Sequence, residues 1–293
     1  TGQLRMQKSD WRGVFPALTT KFTAADEIDW DSMGRHLEFQ LDAGVHGLVI
    51  LGSLGENSTL SPAEKLEMVR FFADSDRRGI PLLACIAETT TREAREFAAA
   101  AEDAGVDGFM LLPPICYPSD SRETMAYFHD VAAASSRPIM LYNNPLAYGT
   151  DITPEDFARL ADNSRFEAIK ESSADTRRFP EIRRQAGDRI ALFCGVDDLA
   201  LECFSLGAVG WVAGLAVAFP RESVRLWELC RAGHWEQART LYEWFLPLLH
   251  LDTGPKFVQQ IKLVEALVGV GSAKVRAPRL QLTEADASRV EKI

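Results

Sequence analysis

Ala104-Gly105-Val106-Asp107-Gly108 recurs in outline at Ala43-Gly44-Val45-His46-Gly47 and at Gly207-Ala208-Val209-Gly210. Each copy reads as the end of a helix followed at once by the opening of a strand, because glycine takes up the left-handed cap that turns a chain out of a helix. Around these joints, from Gly13 to Gly214, short apolar or β-branched runs alternate with longer amphipathic stretches. That rhythm marks repeated βα units with parallel strands. Eight strands are expected, at Val14–Thr20, Gly47–Leu51, Pro81–Ala87, Gly108–Leu112, Ile139–Asn143, Phe166–Glu171, Ile190–Gly195 and Gly210–Ala213, with a helix between each pair. Eight units are what a closed (β/α)8 TIM barrel of the α/β class requires.

Beyond the last strand the pattern turns wholly helical, and Arg221–Arg231, His234–Leu249 and Pro255–Val268 are predicted helices. Trp227, Trp235, Trp244 and Phe245 fall at spacings suited to apolar faces, as core or subunit-contact residues. No Ser/Gly-rich linker interrupts the chain. We therefore expect a barrel over residues 11–214 and a C-terminal helical extension over residues 215–293, packed on it as one unit.

Composition narrows the function. A hydrophobic content of 46% over 293 residues supports a large core, and a net charge of −10 without a compact basic run argues against nucleic acid or an anionic membrane as partner. A small molecule is the expected ligand. Cys85, Cys116, Cys194, Cys203 and Cys230 lack CxxC spacing and read as reduced residues of a cytoplasmic protein. The five histidines show no close metal-ligand spacing, so no metal site is expected. Thr1–Asp10 is polar and no stretch has the length to span a bilayer, which gives the expectation of an untargeted protein without a membrane partner.

In such a barrel the chemistry sits at the C-terminal ends of the strands. Lys170 lies inside the apolar run Phe166-Glu167-Ala168-Ile169-Lys170-Glu171-Ser172-Ser173. An ammonium buried there tends to lose its proton, and the neutral amine is a nucleophile toward carbonyl carbon. After the second strand, Gly52-Ser53-Leu54-Gly55-Glu56-Asn57 offers two glycines that let consecutive N–H groups face an anion, with the Ser53 hydroxyl as a further donor, so a carboxylate fits. After the fifth, Tyr142-Asn143-Asn144-Pro145 puts a phenol and amides at the mouth, and a tyrosine near an iminium can relay protons. After the seventh, Gly195-Val196-Asp197-Asp198 keeps space open beneath an acidic helix start that reads as a cap. Lys256 opens the last predicted helix and reads as a surface or interface residue.

Together with Gly13-Val14-Phe15-Pro16-Ala17-Leu18-Thr19-Thr20 and Ile169-Lys170-Glu171, these motifs resemble, in order and over nearly the whole chain, the dihydrodipicolinate synthase and N-acetylneuraminate lyase family of class I aldolase-type barrels. The resemblance implies Lys170 as the Schiff-base residue, Tyr142 as the proton relay, and Gly52, Ser53 and the Leu54 backbone as the carboxylate cradle. It adds Asn144, Gly195 and the Val212 carbonyl around the substrate, no cofactor, and a homo-oligomer, a tetramer of paired dimers. The lysine-pathway synthases carry an arginine five residues after the tyrosine, where this chain has Ala147. They also take a tyrosine from a neighbouring subunit in a Pro-Tyr-Tyr motif, where this chain has Pro114-Ile115-Cys116-Tyr117-Pro118, so either the relay is shortened or Tyr117 replaces it.

Within the family, Tyr142 to Asp151 and Leu246 to Gln259 resemble the branch of hydroxyproline breakdown. That branch converts 1-pyrroline-4-hydroxy-2-carboxylate to 2,5-dioxopentanoate (2-oxoglutarate semialdehyde) and ammonia. The same lysine and cradle would serve an aldolase, lyase or dehydratase of an open-chain 2-oxo acid, such as 4-hydroxy-2-oxoglutarate, a 2-keto-3-deoxy sugar acid or the synthase substrates. A non-catalytic small-molecule-binding barrel is a third reading, because fold does not fix function.

Overall fold

The computed structural model describes residues 6–293. Eight parallel strands, β1 (Gly13–Pro16), β2 (Leu48–Ile50), β3 (Leu82–Ile86), β4 (Gly108–Leu111), β5 (Ile139–Asn143), β6 (Phe166–Glu171), β7 (Ala191–Cys194) and β8 (Gly210–Ala213), pair in sequence, and β8 returns to β1. The remaining seam, between β1 and β2, closes through an Ala17–Val49 bridge and through His46 N–H to the Val14 carbonyl at 2.9 Å. The fold is a (β/α)8 TIM barrel, as the alternation predicted. β5, β6 and β8 run as expected; the other strands are one to three residues shorter, most of all β1, whose predicted end at Thr19-Thr20 is already loop.

Phe15 and Phe193 meet inside the barrel, ring centroids 5.2 Å apart, on the face that also carries Tyr142 and Lys170, while Trp211, one residue out of phase on β8, packs outward against Phe204; all are buried. Glycines mark where these rings need room. A Cβ on Gly210 would stand 2.6 Å from Phe193 Cζ, and one on Gly47 would stand 2.6 Å from Phe15 Cζ. At the three echoed joints Gly44, Gly105 and Gly207 take φ of 78°, 101° and 93°, the left-handed conformation that favours glycine.

The register of β5 against β6 shifts once. Ile139 pairs with Phe166, yet Met140 pairs with Ala168, so Glu167 is an extra residue on β6. Its carboxylate accepts the Trp11 indole N–H at 2.6 Å. Past this bulge, Tyr142 stands opposite Lys170.

Helices Pro220–Arg231, Trp235–Leu249 and Phe257–Leu267 follow β8 near their predicted bounds, and a further helix, Glu284–Glu291, lies in a segment not predicted to be helical. Trp227 and Phe245 are core residues, whereas Trp244 is 61% exposed. All five cysteines are free, and Cys116 alone among them is exposed. Lys256 is half exposed and ion-paired with Asp286 at 2.6 Å. Among the described residues no helix is long and apolar enough to cross a membrane, and no group of three or more acidic, His or Cys side chains is arranged to hold a metal ion.

Candidate active site

Four lysines are buried: Lys21, Lys65, Lys170 and Lys262. Three of them bond directly to a carboxylate, Lys21 to Glu265 at 2.6 Å, Lys65 to Glu88 at 2.8 Å and Lys262 to Glu56 at 2.6 Å. A buried ammonium with such a partner is a structural ion pair. Lys170 has no carboxylate oxygen within 4.0 Å among the described residues; its amine lies over the Tyr142 ring, 4.0 Å from the centroid. Burial pushes its pKa down from 10.5, against the weaker pull of Asp252, the largest of the opposing charge effects. This is the environment that leaves a lysine able to act as a nucleophile.

Gly195 makes the space for that side chain. A Cβ there would sit 2.7 Å from Lys170 Cγ, 2.8 Å from its Cε, and still closer to Ser172 Oγ. The Ser172 hydroxyl is buried beside the Tyr142 phenol and makes no other hydrogen bond.

Tyr142, at the end of β5, is buried, and burial pushes its phenol up to about 12 although hydrogen bonds from Asn144 and Ser172 pull the other way. Asn144 was expected to contact substrate. In this structure its amide is engaged at both ends: Nδ2 donates to the Tyr142 oxygen at 3.0 Å, and Oδ1 accepts the Ala147 N–H at 3.1 Å as the cap of the short helix Pro145–Tyr148. In this arrangement Asn144 orients the phenol.

The loop after β2 differs in detail from its sequence reading. Gly52 and Gly55 keep ordinary φ, and the left-handed residues are Leu51 and Glu56, at 62° and 56°. Gly55 is required by close approach, since a Cβ would lie 2.9 Å from the Leu18 carbonyl oxygen. Glu56, held by Lys262 and by the Arg276 N–H at 3.0 Å, anchors the loop from beneath. The Glu56 and Asn57 amides bond back to the Ser53 and Gly52 carbonyls, while the Ser53 and Leu54 amides make no backbone bond among the described residues. Two adjacent N–H groups and the Ser53 hydroxyl thus form a donor set suited to a carboxylate.

Asp197 is not the cap of its own helical turn. Its carboxylate accepts the Trp211 indole N–H at 3.0 Å and the Gly214 and Leu215 amides at 3.0 and 2.7 Å, fixing the loop after β8. Burial outweighs these donors and raises it to about 6. Asp252, from the segment after the barrel, approaches the same glycine, because a Cβ on Gly214 would lie 2.8 Å from its carboxyl carbon. Burial, reinforced by the Asp197 charge, holds Asp252 well above the usual carboxylate range. Val212 is buried on β8 opposite Phe15.

Three residues of this cluster escaped the sequence reading: Tyr148, Ser172 and Asp252. Tyr148 is hydrogen-bonded to Ser53, and its ring meets the Tyr142 ring edge-on at 5.9 Å. Tyr117, considered as a replacement relay, is 51% exposed on its own chain, with its phenol toward Glu123. The signal for Tyr148 was its position six residues after Tyr142, in the same strand-end loop.

The dihydrodipicolinate synthetase family model matches residues 10–293. A 4-hydroxy-tetrahydrodipicolinate synthase from Methanopyrus kandleri is 33% identical over 277 residues, 93% of this chain and 91% of that one. Its counterpart from Cellvibrio japonicus is 32% identical over 276 residues, 93% and 94% of the two chains. Among solved structures, a prophage protein of the dihydrodipicolinic acid synthase family from E. coli K12, in complex with pyruvate, superposes with a TM-score of 0.90 at 29% identity, covering 96% of each chain. The 4-hydroxy-tetrahydrodipicolinate synthase of Methylacidiphilum fumariolicum SolV does so with a TM-score of 0.91 at 29% identity, over 96% and 94%. With the family model spanning the barrel, the C-terminal helices and every strand-end loop described above, the chain belongs to the dihydrodipicolinate synthetase family.

Proposed function

We propose that the chain is a lysine Schiff-base enzyme acting on a 2-oxo acid or its cyclic imine. The observation that carries this reading is Lys170, the one buried lysine without a direct carboxylate partner among the described residues, facing Tyr142. The substrate carboxylate would lie on the Ser53 and Leu54 amides, the neutral amine would add to C2, and Tyr142 would move the protons. The iminium then acts as the electron sink, with no organic cofactor or metal ion assigned to the step.

For the substrate we propose 1-pyrroline-4-hydroxy-2-carboxylate, converted with one water to 2,5-dioxopentanoate and ammonia. Ala147 supports it: the position offers no charged group for a second carboxylate, and this substrate has only one. The second reading, condensation or cleavage of an open-chain 2-oxo acid, is favoured by the naming of the curated relatives as 4-hydroxy-tetrahydrodipicolinate synthases. The exposed Trp235 and Trp244 fit a homo-oligomer, which sedimentation would measure.

Incubation with the hydroxypyrroline carboxylate, borohydride trapping with peptide mapping on one half and an ammonia assay on the other, tests both levels. Ammonia with an adduct on Lys170 supports the deaminase. An adduct without ammonia directs the search to open-chain 2-oxo acids, and no adduct even with pyruvate refutes the lysine assignment.

A further inference from the structure

Two glycines at the barrel mouth leave room for two reactive groups. Gly195 does so for Lys170. Gly214, just past β8, does so for Asp252, since a Cβ there would lie 2.8 Å from the Asp252 carboxyl carbon and 3.3 Å from Asp197 Oδ2. Asp252 closes the turn His250–Asp252 and so brings a carboxyl from the C-terminal layer to the strand ends. There the Asp197 N–H donates to it, and its charge is felt by both Lys170 and Tyr142. The two carboxyls differ in what they can still offer. Asp197 has no solvent contact and already holds three donors, the Trp211 indole and the Gly214 and Leu215 amides. Asp252 is only partly buried and forms no ion pair among the described residues.

We propose that Asp252 is the general acid of the site, the carboxylic acid that protonates the 4-hydroxyl of the substrate as it leaves, and that it fits this barrel to dehydration. The proposal rests on the Lys170 Schiff base and on the hydroxypyrroline carboxylate proposed above. With the substrate carboxylate on the loop after β2 and C2 bonded to Lys170 on β6, C4 lies two bonds further on. The β5 flank of Lys170 is filled by the Tyr142 and Tyr148 rings, whereas Gly195 and Gly214 line the β7 and β8 flank, where the 4-hydroxyl meets Asp252. Burial and then the Asp197 charge raise the Asp252 pKa; the Lys170 charge and the Asp197 N–H oppose them, and the Asp198 charge adds to the rise. A carboxyl so placed keeps its proton where an ordinary carboxylate has lost it, while the amine beside it is pushed the other way.

The step balances as follows. Lys170 adds to C2 and the ring C2–N bond breaks. The freed nitrogen, with one proton from the lysine and one from solvent, stays as an amine on C5 and leaves a Lys170 iminium. C3 gives a proton to solvent, its C–H pair forms C2=C3, and the C=N pair returns to nitrogen. The nitrogen pair then reforms C=N, the C2=C3 pair moves to C3=C4, and the C4–O bond breaks with its pair on oxygen. That oxygen takes the Asp252 proton and leaves as water, and the carboxylate recovers a proton from solvent. Proton shifts turn the C5 amine into an imine, and two waters hydrolyse it and the iminium, releasing ammonia and the dioxo acid.

The test uses the full chain and Asp252→Asn, which keeps the shape of the side chain and cannot give up a proton. The variant should trap pyruvate on Lys170 at the wild-type rate, because pyruvate has no 4-hydroxyl to expel. Its ammonia release from 1-pyrroline-4-hydroxy-2-carboxylate should fall by about 100-fold, the lower range for loss of a general acid. Borohydride should then capture on Lys170 an adduct that still carries the 4-oxygen. From the 4-chloro analogue, whose leaving group departs without a proton, variant and wild type should release chloride at similar rates. Equal losses of pyruvate trapping and ammonia release would reduce Asp252 to a support for the Asp197 turn. Ammonia release at the wild-type rate, or chloride release that falls as far as ammonia release, would also overturn the proposal. A wild-type chain that traps pyruvate yet releases no ammonia would refute the hydroxypyrroline reading and the acid with it, and one that traps nothing would refute Lys170.

Discussion

Replacing Gly195 by alanine adds a single methyl group, and the structure says where it must go. The new carbon would meet Lys170 at Cγ and Cε, at 2.7 and 2.8 Å, and Ser172 Oγ more closely still. Atoms at those separations cannot coexist, and the backbone of β7 is locked by its pairing with β6, so the lysine stem is what yields. Relief by about 1 Å would carry the amine off its place above the Tyr142 ring. Overpacking of a core site costs about 1–3 kcal/mol. For a chain of this size that lowers the melting temperature by roughly 2–4 °C per kcal/mol. A displacement of that size at a reacting atom costs on the order of 100-fold in rate.

Stopped-time borohydride trapping with pyruvate, quantified on the Lys170 peptide, measures the second effect, and thermal unfolding measures the first. Ser172→Ala in the same chain removes the closest clash and leaves those with Lys170, so it should restore part of the stability and little of the trapping rate. If Gly195→Ala traps pyruvate at the wild-type rate with a normal melting temperature, the positioning of Lys170 by an absent side chain is wrong.

Further outcomes follow from three sets of buried charges. Lys170→Met should abolish trapping and raise the melting temperature, because the native lysine has a lowered pKa and the unfolded chain binds the more protons below 10.5. The same sign makes trapping faster as pH rises through the lowered pKa, measurable as an ascending limb of the rate. His36 is buried between Lys21 and Glu265, and burial with the nearby Lys21 charge lowers it to about 4. Between pH 6.5 and 4 the unfolded imidazole is protonated while the native one is not, so stability falls with acidification by on the order of 3 kcal/mol, and denaturant unfolding of His36→Asn should show a flatter dependence. Glu56→Gln leaves the Lys262 ammonium buried without its carboxylate and should cost about 3–5 kcal/mol in urea unfolding, with the Ser53 loop loosened.

The barrel was legible because its signals are local. A left-handed glycine at a joint and an apolar run behind it are written in adjacent residues, and β5, β6 and β8 emerged with their predicted bounds. Lys170 and Tyr142 were visible for the same reason, each a polar residue at the end of an apolar run. What escaped depends on contacts across the chain. Lys21 and Lys262 look no less unusual in a buried setting than Lys170, and only the placement of Glu265 and Glu56 more than 200 residues away shows them to be paired. Asp197 read as a cap because its neighbours in sequence form a helical turn, but its three donors come from β8 and the following loop. The bond from the Asn144 amide to the Tyr142 oxygen was likewise invisible before the loop was folded. The last helix, Glu284–Glu291, has a weak apolar face and buries only Val290, so it left little pattern to read.

The extra residue Glu167 gives the site a reading frame. Were Glu167 paired regularly with Met140 instead of bulged out, continued pairing from Ile139 and Phe166 would set Tyr142 against Ile169 and bring Asn143 opposite Lys170, and every side chain of β6 beyond that point would exchange inside for outside relative to β5. Lys170 and Tyr142 are thus kept in phase by a bulge about 10 Å along the strand from them. Chemistry in this barrel could therefore be lost by a one-residue slip of β6 against β5 that leaves both Lys170 and Tyr142 in the sequence and parts them in space.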